Sequence, residues 1–452
     1  MTFHKKFGTI ILVLDVTIMN KEHNKIYNVL IFPAGSEIAF EINNALKYSK
    51  FVNIIGGSSV SDHSEFVYKE LYTDFPYIND LNFIKFLNEF IKKHKIDYIY
   101  PAMDIVQVFL TNNKDLIDAK IVTSSVDTVN ICRSKLKTYQ TLKNEHFIPK
   151  FYSNASDIKK YPVFLKPEEG QGAQGAIKIN NKRQLDYYLE TSDEKVIICE
   201  YLPGTEYTVD CFTDKNGKLL ISQLRSRDRI RTGISVRSTK HTTTEEVKKI
   251  ANIINSYFEF NGAWFFQIKK DAEDKFKLME ISPRIPGTMG LTRNMGINFP
   301  MLTLFNMLDY DLNLINNNYD IMLDRAFINR YKINYCYENV YIDFDDTITN
   351  KGKLNLNVIR YLYQLVNENK KIYLLSRHKN NIENTLRKYK LSKDIFTEII
   401  WINQEKLKSE YIEPEKSIFI DDSFRERIDV SKKLGIPVFD VDMIESLIDW
   451  RD

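Results

Sequence analysis

A lysine followed by a glycine-rich loop is the feature that most constrains this chain. The apolar run 163–165 leads into Lys166, and Gly170, Gly172 and Gly175 follow closely. Glycines leave the backbone amides of such a loop open to approach, so the loop can close over phosphate oxygens. The spacing is neither the P-loop pattern nor the dinucleotide fingerprint, because the lysine precedes the glycines. A flexible hairpin has a similar composition, so the interpretation depends on the rest of the sequence.

Length, composition and charge narrow the class of protein. The 452 residues, 43% of them hydrophobic, are enough for several packed cores. The net charge of +3 does not indicate a nucleic-acid or membrane-surface protein, so we expect small-molecule partners. The four cysteines are widely spaced, which predicts reduced thiols in a cytoplasmic protein. We read no signal peptide or membrane span in the apolar stretch 8–14, and whether residues 1–18 belong to the native protein stays open.

The first part of the chain alternates between strand and helix patterns. Residues 27–32 form an apolar run, and residues 37–48 place their apolar side chains on one helical face. A predicted helix over 83–94 and a predicted strand over 98–101 continue the alternation, which indicates a small parallel sheet. A dinucleotide-binding domain is the alternative. It is disfavoured because the first turn has one glycine where the fingerprint requires three.

Further polar residues surround the Lys166 segment. Residues 127–144 are predicted to form one helix that carries Lys135. The predicted strand 196–199 ends in Glu200-Tyr201-Leu202-Pro203-Gly204-Thr205-Glu206-Tyr207-Thr208-Val209-Asp210. A strand end beside a proline-glycine turn offers an unpaired backbone amide and carbonyl that suit an adenine edge, so Glu200 and Leu202 are predicted to bind the base.

These features together resemble the ATP-grasp superfamily, and the nearest branch is that of carbamoyl-phosphate synthetase large chains and related carboxylate–amine ligases. The resemblance implies a two-lobed nucleotide clamp, with ATP as the cofactor and Glu206 in contact with the ribose. The predicted nucleotide-binding residues are Lys135, Lys166, Gly170, Gly172, Gly175, Glu200, Tyr201, Leu202 and Glu206.

Two later predicted strands carry the candidate metal ligands. Gln267 lies in the strand 263–269, and Glu280 lies just before Ser282-Pro283-Arg284. This resembles the metal-and-phosphate segment of the superfamily, where oxygen ligands hold Mg²⁺, or alternatively Mn²⁺, against the triphosphate. The family often has an acid at the place of Gln267 and asparagine at that of Ser282, so the number of bound ions stays open. Arg284 is predicted to neutralise the transferred phosphoryl group.

A basic segment and a second glycine loop are the candidate substrate contacts. Arg227, Arg229 and Arg231 lie in one short run, which is typical of a solvated surface loop. Its position before the predicted catalytic strands favours contact with a substrate carboxylate or the γ-phosphate. Gly287 and Thr288 are predicted to lie in a mobile loop on the substrate side.

After a predicted strand over 324–331, the strand pattern restarts near residue 340 with the most specific short motif in the chain. An apolar strand ends in Asp343-Phe344-Asp345-Asp346-Thr347. Ser376 then follows at one strand end, Lys406 and Lys408 precede a helix, and Asp421-Asp422-Ser423 ends another strand. In order and spacing these elements resemble the haloacid dehalogenase (HAD) phosphatase superfamily, over about residues 338–452.

The HAD resemblance implies an aspartyl-phosphate mechanism in which Asp343 is the nucleophile and Asp345 the general acid/base. Ser376 would bind the phosphate, and a lysine, Lys408 rather than Lys406, would offset the charge of the nucleophile. The predicted magnesium ligands are Asp343, Asp345, Asp421 and Asp422. No cap segment is predicted, so the site should be open to a large or enzyme-delivered substrate. A parallel α/β domain with acidic turns and no activity is the alternative.

The sequence therefore predicts an α/β and α+β multidomain protein. Its expected parts are an N-terminal extension (1–25), a pre-ATP-grasp α/β domain (26–125), an ATP-grasp domain (126–335) and a capless, Rossmann-like HAD domain (336–452). We predict an ATP-dependent carboxylate–amine ligase that acts through an acyl phosphate, fused to a magnesium-dependent phosphohydrolase. The alternative is an ATP-grasp kinase with the HAD segment as a docking or regulatory module. Expected partners are a small carboxylate, an amine and a phosphorylated metabolite. We expect no nucleic-acid or membrane partner, and the sequence is compatible with a homodimer.

Overall fold

The computed structural model describes residues 25–451 except 171, 173, 192–194, 232, 318, 379 and 404. Apart from Lys25, the predicted N-terminal extension lies outside the described residues. Two compact units divide the chain, one ending at Ala326 and the other beginning at Phe327. The domain bounds at 125/126 and 335/336 stay predictions.

The first unit begins with a parallel sheet of order β3-β2-β1-β4-β5. Its strands are β1 (Tyr27–Phe32), β2 (Val52–Gly57), β3 (Leu71–Tyr72), β4 (Tyr98–Pro101) and β5 (Lys120–Ile121). Its helices are α1 (Glu37–Leu46), α2 (Phe83–His94) and α3 (Asp104–Asn112). The predicted parallel sheet is confirmed. Because α1 follows β1 and α3 follows the neighbouring β4, both helices begin at the carboxyl edge of the sheet, where the strand order reverses.

The next segment forms a four-stranded sheet of order β6-β9-β7-β8. Its elements are α4 (Val126–Arg133), α5 (Lys135–Thr141), β6 (Phe151–Tyr152), β7 (Val163–Pro167), β8 (Ile177–Ile179), α6 (Lys182–Thr191) and β9 (Val196–Glu200). The single helix predicted over 127–144 is wrong, since Ser134 has extended backbone angles and ends α4. Its side chain then caps α5 by accepting a hydrogen bond from the Lys137 amide at 3.1 Å.

Two antiparallel sheets complete the first unit, with strand orders β11-β10-β14-β15 and β12-β13-β16. Their elements are β10 (Glu206–Thr213), β11 (Leu219–Ser226), β12 (Arg229–Arg231), β13 (Ile234–Thr239), α7 (Glu245–Tyr257), β14 (Gly262–Lys270), β15 (Phe276–Ser282), α8 (Gly290–Asn294), α9 (Phe299–Met307) and β16 (Met322–Asp324). The strand predicted over 324–331 is wrong. Pairing of β16 with β13 ends at Asp324, and the first unit ends two residues later.

The sheet β11-β10-β14-β15 separates the core of the first unit from an open cleft. Side chains alternate between the two faces of a strand. In β14, Trp264 and Phe266 are fully buried in the core beneath α7, whereas Phe265 and Gln267 face the cleft. The alternation in this strand therefore places polar and aromatic side chains on the cleft floor.

The second unit is a parallel sheet of order β21-β20-β17-β22-β23, with a short hairpin β18-β19. Its elements are β17 (Asn339–Ile342), β18 (Thr349–Asn350), β19 (Lys353–Leu354), α10 (Leu356–Asn367), β20 (Lys371–Ser376), α11 (Ile382–Lys388), β21 (Glu398–Trp401), β22 (Ser417–Ile420), α12 (Phe424–Leu434) and β23 (Val438–Phe439). The carboxyl ends of β17, β20 and β22 meet at one edge of this sheet. None of the helices described has the length and apolar composition to cross a membrane.

Candidate functional site

The cleft of the first unit has a volume of about 390 Å³. Its walls come from the carboxyl edge of the parallel sheet, the glycine loop after β7 and the floor strands β10, β11, β14 and β15. The predicted site residues that line it are Lys135, Gly170, Gly172, Arg227, Gln267, Glu280, Arg284, Gly287 and Thr288. Residues far apart in the sequence thus meet in one cavity, at the kind of strand-order reversal where open α/β sheets bind ligands.

Lys166 lies beside this cleft with its charge uncompensated. The residue is 8% exposed, and its Nζ donates to the Tyr139 hydroxyl at 2.9 Å and the Met279 carbonyl at 3.0 Å. Both partners are neutral, and no carboxylate of the described chain forms an ion pair with it. Burial lowers the pKa of Lys166, although nearby acids including Glu280 oppose the shift. A buried ammonium of this kind favours the binding of an anion.

Gln267 and Glu280 are direct cross-strand neighbours on β14 and β15. Within the described residues neither side chain has a hydrogen bond or ion pair, so their oxygens are available to a ligand. Carboxylate and amide oxygens are the donors that Mg²⁺ prefers, and the pair therefore fits this ion. The first unit shows no cluster of three acidic, histidine or cysteine ligands in its described part. Phosphate oxygens and water would have to complete the coordination.

Two guanidinium groups in the cleft are each held by both oxygens of a carboxylate. Arg284 donates to both oxygens of Asp104, at 2.7 and 2.8 Å, and Arg225 makes a similar double contact with Asp210 at 2.9 and 3.0 Å. Burial raises the pKa of Asp104, but the attraction and hydrogen bonds of Arg284 outweigh it, so this pKa is lowered. The paired charges fix the orientation of each guanidinium, while its remaining N–H groups stay available to a bound anion.

The predicted base-binding and ribose-binding residues are partly engaged within the protein. The backbone amide of Glu200 donates to the Lys150 carbonyl at 2.8 Å, so the expectation of an unpaired amide is wrong there, because β6 pairs with β9. Leu202 has no backbone hydrogen bond in the described chain and keeps the expected free edge. Lys178 Nζ lies 4.2 Å from the Tyr201 ring centre. Glu206 forms an ion pair of 2.9 Å with Arg227.

The predicted basic segment is divided by the fold. Arg227 lines the cleft, whereas Arg229 and Arg231 are exposed on β12 and do not line it. Arg229 instead donates at 2.8 Å to Asp324, which lies on β16, the opposite edge strand of this three-stranded sheet. Gly175, like Glu200, Tyr201, Leu202 and Glu206, lies outside the cleft lining. The glycine loop nevertheless approaches the segment closely, since a Cβ on Gly233 would overlap the backbone of Gly172.

Several cleft residues were missed by the sequence analysis. Asp104, Thr208, Arg225 and Arg325 line the cleft. The register places Arg225, Thr208, Gln267 and Glu280 in one row across the four floor strands. The signal for Thr208 was its spacing two residues after Glu206, which puts both side chains on one face of β10.

The second unit gathers its acidic residues around a buried lysine. Asp343 follows β17, and Asp421 and Asp422 follow the adjacent strand β22. Lys408 Nζ donates to Asp343 at 2.6 Å and to Asp421 at 2.5 Å. Oxygens of Asp343, Asp421 and Asp422 lie within 4.8 Å of one another, so this donor set fits a divalent cation.

Burial and mutual charge perturb this cluster. Burial raises the pKa of Asp343 to about 7, and the neighbouring Asp421 charge adds to the shift although Lys408 opposes it. Burial lowers the pKa of Lys408, but the two carboxylates outweigh it and raise this pKa overall. One ammonium thus compensates only one of two buried carboxylates, and a cation beside them would supply the missing charge.

The other predicted residues of the second unit lie around this cluster. Asp345 is outside the carboxylate group described above, because its side chain turns outward and contacts His378 Nδ1 at 2.9 Å. Ser376 ends β20, and its hydroxyl accepts a hydrogen bond from the His378 amide at 3.1 Å. Lys406 Nζ lies 5.9 Å from the Tyr411 ring centre, so Lys408 is the lysine that contacts Asp343. His378 had no signal in the predicted motifs.

Comparison with known proteins supports an ATP-grasp domain. Residues 192–323 match the model of a family described as "ATP-grasp in the biosynthetic pathway with Ter operon". A search of curated proteins finds no match.

Similar solved structures share the fold. They include the biotin carboxylase domain of Hydrogenobacter thermophilus 2-oxoglutarate carboxylase with MgADP, ADP and bicarbonate (15% identity, TM-score 0.54, covering 66% of this chain and 74% of the other). Campylobacter jejuni biotin carboxylase in a β-γ-ATP complex has 17% identity and a TM-score of 0.53, covering 66% and 75%. N5-carboxyaminoimidazole synthetase from Staphylococcus aureus with ADP has 17% identity and a TM-score of 0.53, covering 64% and 79%. At these identities the likeness shows a common fold.

Proposed function

We propose that the first unit is an ATP-dependent carboxylate–amine ligase that releases ADP and phosphate. The observation that carries this proposal is Lys166, a buried cation with two neutral partners and no carboxylate partner in the described chain. A buried charge is stable when an opposite charge approaches it, and the phosphates of a nucleotide supply that charge. Neighbouring folds with bound ADP or an ATP complex support ATP as the nucleotide.

The places of the side chains suggest their roles in nucleotide binding. Lys166 and Lys135 would hold the phosphates together with the backbone of the glycine loop. The free backbone edge of Leu202 would bind adenine, and the second oxygen of Glu206 would accept a hydrogen bond from the ribose. Glu280 and Gln267 would hold Mg²⁺, which when bound screens the negative charge of the phosphates.

The reaction would proceed in two balanced steps. A carboxylate oxygen of the substrate attacks the γ-phosphorus, the bond to the β–γ bridging oxygen breaks, and ADP leaves. An amine nitrogen then attacks the acyl carbon, phosphate departs, and the nitrogen gives up a proton. Arg284, Arg225 and Arg227 are held by carboxylates, so their N–H groups can stabilise the anionic centres without reorientation.

Substitution of Lys166 tests this proposal. We expect Lys166→Met to weaken binding of a fluorescent ATP analogue and to lower ADP formation on the order of a hundredfold or more, because a preorganised charge is lost. The exposed Lys160 is a matched control, and Lys160→Met should behave like the wild type. Circular dichroism would verify folding. Wild-type nucleotide binding and turnover in folded Lys166→Met would refute the proposed site.

We further propose a magnesium-dependent phosphohydrolase in the second unit, because Lys408 bridges two buried carboxylates beside a third. The free Asp343 oxygen would attack the phosphorus of a phosphomonoester, the leaving-group oxygen would take a proton from Asp345, and water would hydrolyse the aspartyl phosphate. Mg²⁺, when bound, would offset the charge of both the carboxylates and the phosphate.

Burst kinetics and mass spectrometry test the second proposal. With an activated phosphomonoester and Mg²⁺, the wild type should show turnover and, after rapid acid quench, one added phosphoryl group on Asp343. Asp343→Asn should show neither, because its amide cannot attack. Lack of any Mg²⁺-dependent hydrolysis by the wild type, or equal hydrolysis by Asp343→Asn, would refute this assignment.

A further inference from the structure

The hydroxyl of Thr208 is a buried polar group that lacks a partner. The residue is 1% exposed and lines the cleft, and its Oγ1 makes no hydrogen bond with the described residues. Buried hydroxyls are normally hydrogen-bonded, since an unmade bond costs free energy. The missing partner is therefore expected in a state that forms when a ligand enters the cleft.

Two side chains flank Thr208 across the sheet, Arg225 on β11 and Gln267 on β14. Arg225 is already engaged, with Nε and Nη2 on Asp210 and Nη1 near the Ser238 hydroxyl at 3.4 Å. Gln267 has no side-chain hydrogen bond in the described part of the chain. Directly opposed residues have Cβ atoms about 5 Å apart, within reach of a glutamine side chain. Gln267 is thus the neighbour with both of its donors free, whereas the guanidinium of Arg225 is already held in place by Asp210.

A glutamine that binds a cation has an orientation problem that a glutamate does not have. Its amide carries one acceptor oxygen and an NH₂ group with two donors, so only one of its two orientations presents oxygen to the cation. Metal ligands are commonly oriented by a hydrogen bond to the atom that does not bind the metal. Something on the protein must therefore hold the NH₂ group of Gln267 away from the cation.

We propose that Thr208 is a positioning residue for Gln267. Its Oγ1 accepts a hydrogen bond from Gln267 Nε2, and this fixes the amide with Oε1 toward the divalent cation shared with Glu280. The inference rests on the proposed nucleotide site. It explains both the unpartnered hydroxyl and the presence of an amide, rather than an acid, beside the single carboxylate of this metal pair.

Metal titration with a fluorescent ADP analogue tests this role without turnover. The fluorescence of N-methylanthraniloyl-ADP reports nucleotide binding to the first unit. Its dependence on the Mn²⁺ concentration gives an apparent dissociation constant for the metal. Thr208→Val keeps the shape and removes the hydroxyl, so we expect the half-saturating Mn²⁺ concentration to rise about tenfold. Thr208→Ser should stay near the wild type. If Thr208→Val does not fold, Thr208→Ala, which also lacks the hydroxyl, replaces it, and we expect the same rise in the half-saturating Mn²⁺ concentration.

A double-substitution cycle separates orientation from a merely structural effect. In a Gln267→Glu background either carboxylate oxygen can bind the cation, so Thr208→Val should change the Mn²⁺ constant less than about twofold. A tenfold effect that disappears in this background supports the inference. An unchanged Mn²⁺ constant in Thr208→Val, or an effect that persists with Gln267→Glu, overturns it and leaves the nucleotide site standing. A wild type without any metal-dependent nucleotide signal overturns both.

Discussion

Replacement of Lys408 by methionine should destabilise the second unit severely. Its Nζ lies 2.6 Å from Asp343 and 2.5 Å from Asp421, and all three residues are less than 9% exposed. Methionine fills a similar volume but leaves two buried carboxylates without their cation. Breaking a buried ion pair in this way typically costs about 3–5 kcal/mol.

The loss should be visible as a lower melting temperature. The second unit spans residues 327–452. For a unit of this size 1 kcal/mol corresponds to about 3–5 °C, so the transition should fall by about 10–25 °C. Differential scanning calorimetry of the full chain measures it, and Lys406→Met is the matched control because Lys406 does not contact the cluster. Equal transitions for the two variants would refute the reasoning.

The pH dependence gives the prediction a second readout. Burial raises the pKa of Asp343 to about 7, well above the ordinary range of an aspartate, so the folded state keeps a proton that the unfolded chain releases. This contribution is fully present below the unfolded pKa and is lost as pH rises through about 7. Without Lys408 the buried carboxylates should hold protons more strongly. The stability deficit of Lys408→Met should therefore grow from pH 5 to pH 8, and a deficit that is constant with pH would contradict the account.

Three further predictions concern the two sites. Asp343→Asn should abolish magnesium-dependent phosphatase activity yet leave ADP formation within about twofold in a coupled assay, because the residues of the two sites lie in different units; loss of both activities would contradict this. Mg²⁺ binding to the second unit should weaken below pH 7, where it has to displace the Asp343 proton, and should release little or no proton above pH 7, since the pKa of Asp343 is raised to about 7; calorimetry in buffers of different ionisation enthalpy measures this, and pH-independent affinity would count against it. Asp104→Asn should lower kcat for ADP formation about tenfold with little change in ATP binding, because Arg284 loses its charged anchor; an unchanged kcat would show that this anchor is dispensable.

Local sequence patterns predicted most of the secondary structure. Apolar spacing predicted α2 with the bounds that the structure shows, because this helix buries a continuous apolar face. The patterns failed where a single residue or a distant strand partner determines where an element ends. Ser134 breaks the predicted helix by capping the next one, and β16 ends at Asp324 because its pairing with β13 ends there.

Some site residues could likewise be predicted from local motifs, whereas others could be found only from the folded chain. Lys166, Glu280, Asp343 and Asp421 stand in short motifs whose chemistry is visible in sequence, and their functional roles stay predictions. The contact between Arg284 and Asp104 joins residues 180 positions apart, so only the folded chain could show it. Thr208 likewise gains its meaning from the register of β10 and β14.

Oxygen transfer from a labelled carboxylate tests the central claim most directly. In the Asp343→Asn variant, which removes the proposed phosphatase, ¹⁸O-labelled carboxylates and amines would be screened for ATP-dependent ADP formation, and the released phosphate analysed by mass spectrometry. An acyl phosphate intermediate predicts one ¹⁸O atom in each phosphate, because the attacking carboxylate oxygen leaves with it. Unlabelled phosphate, or phosphate retained on the product as a kinase would leave it, would contradict the ligase assignment.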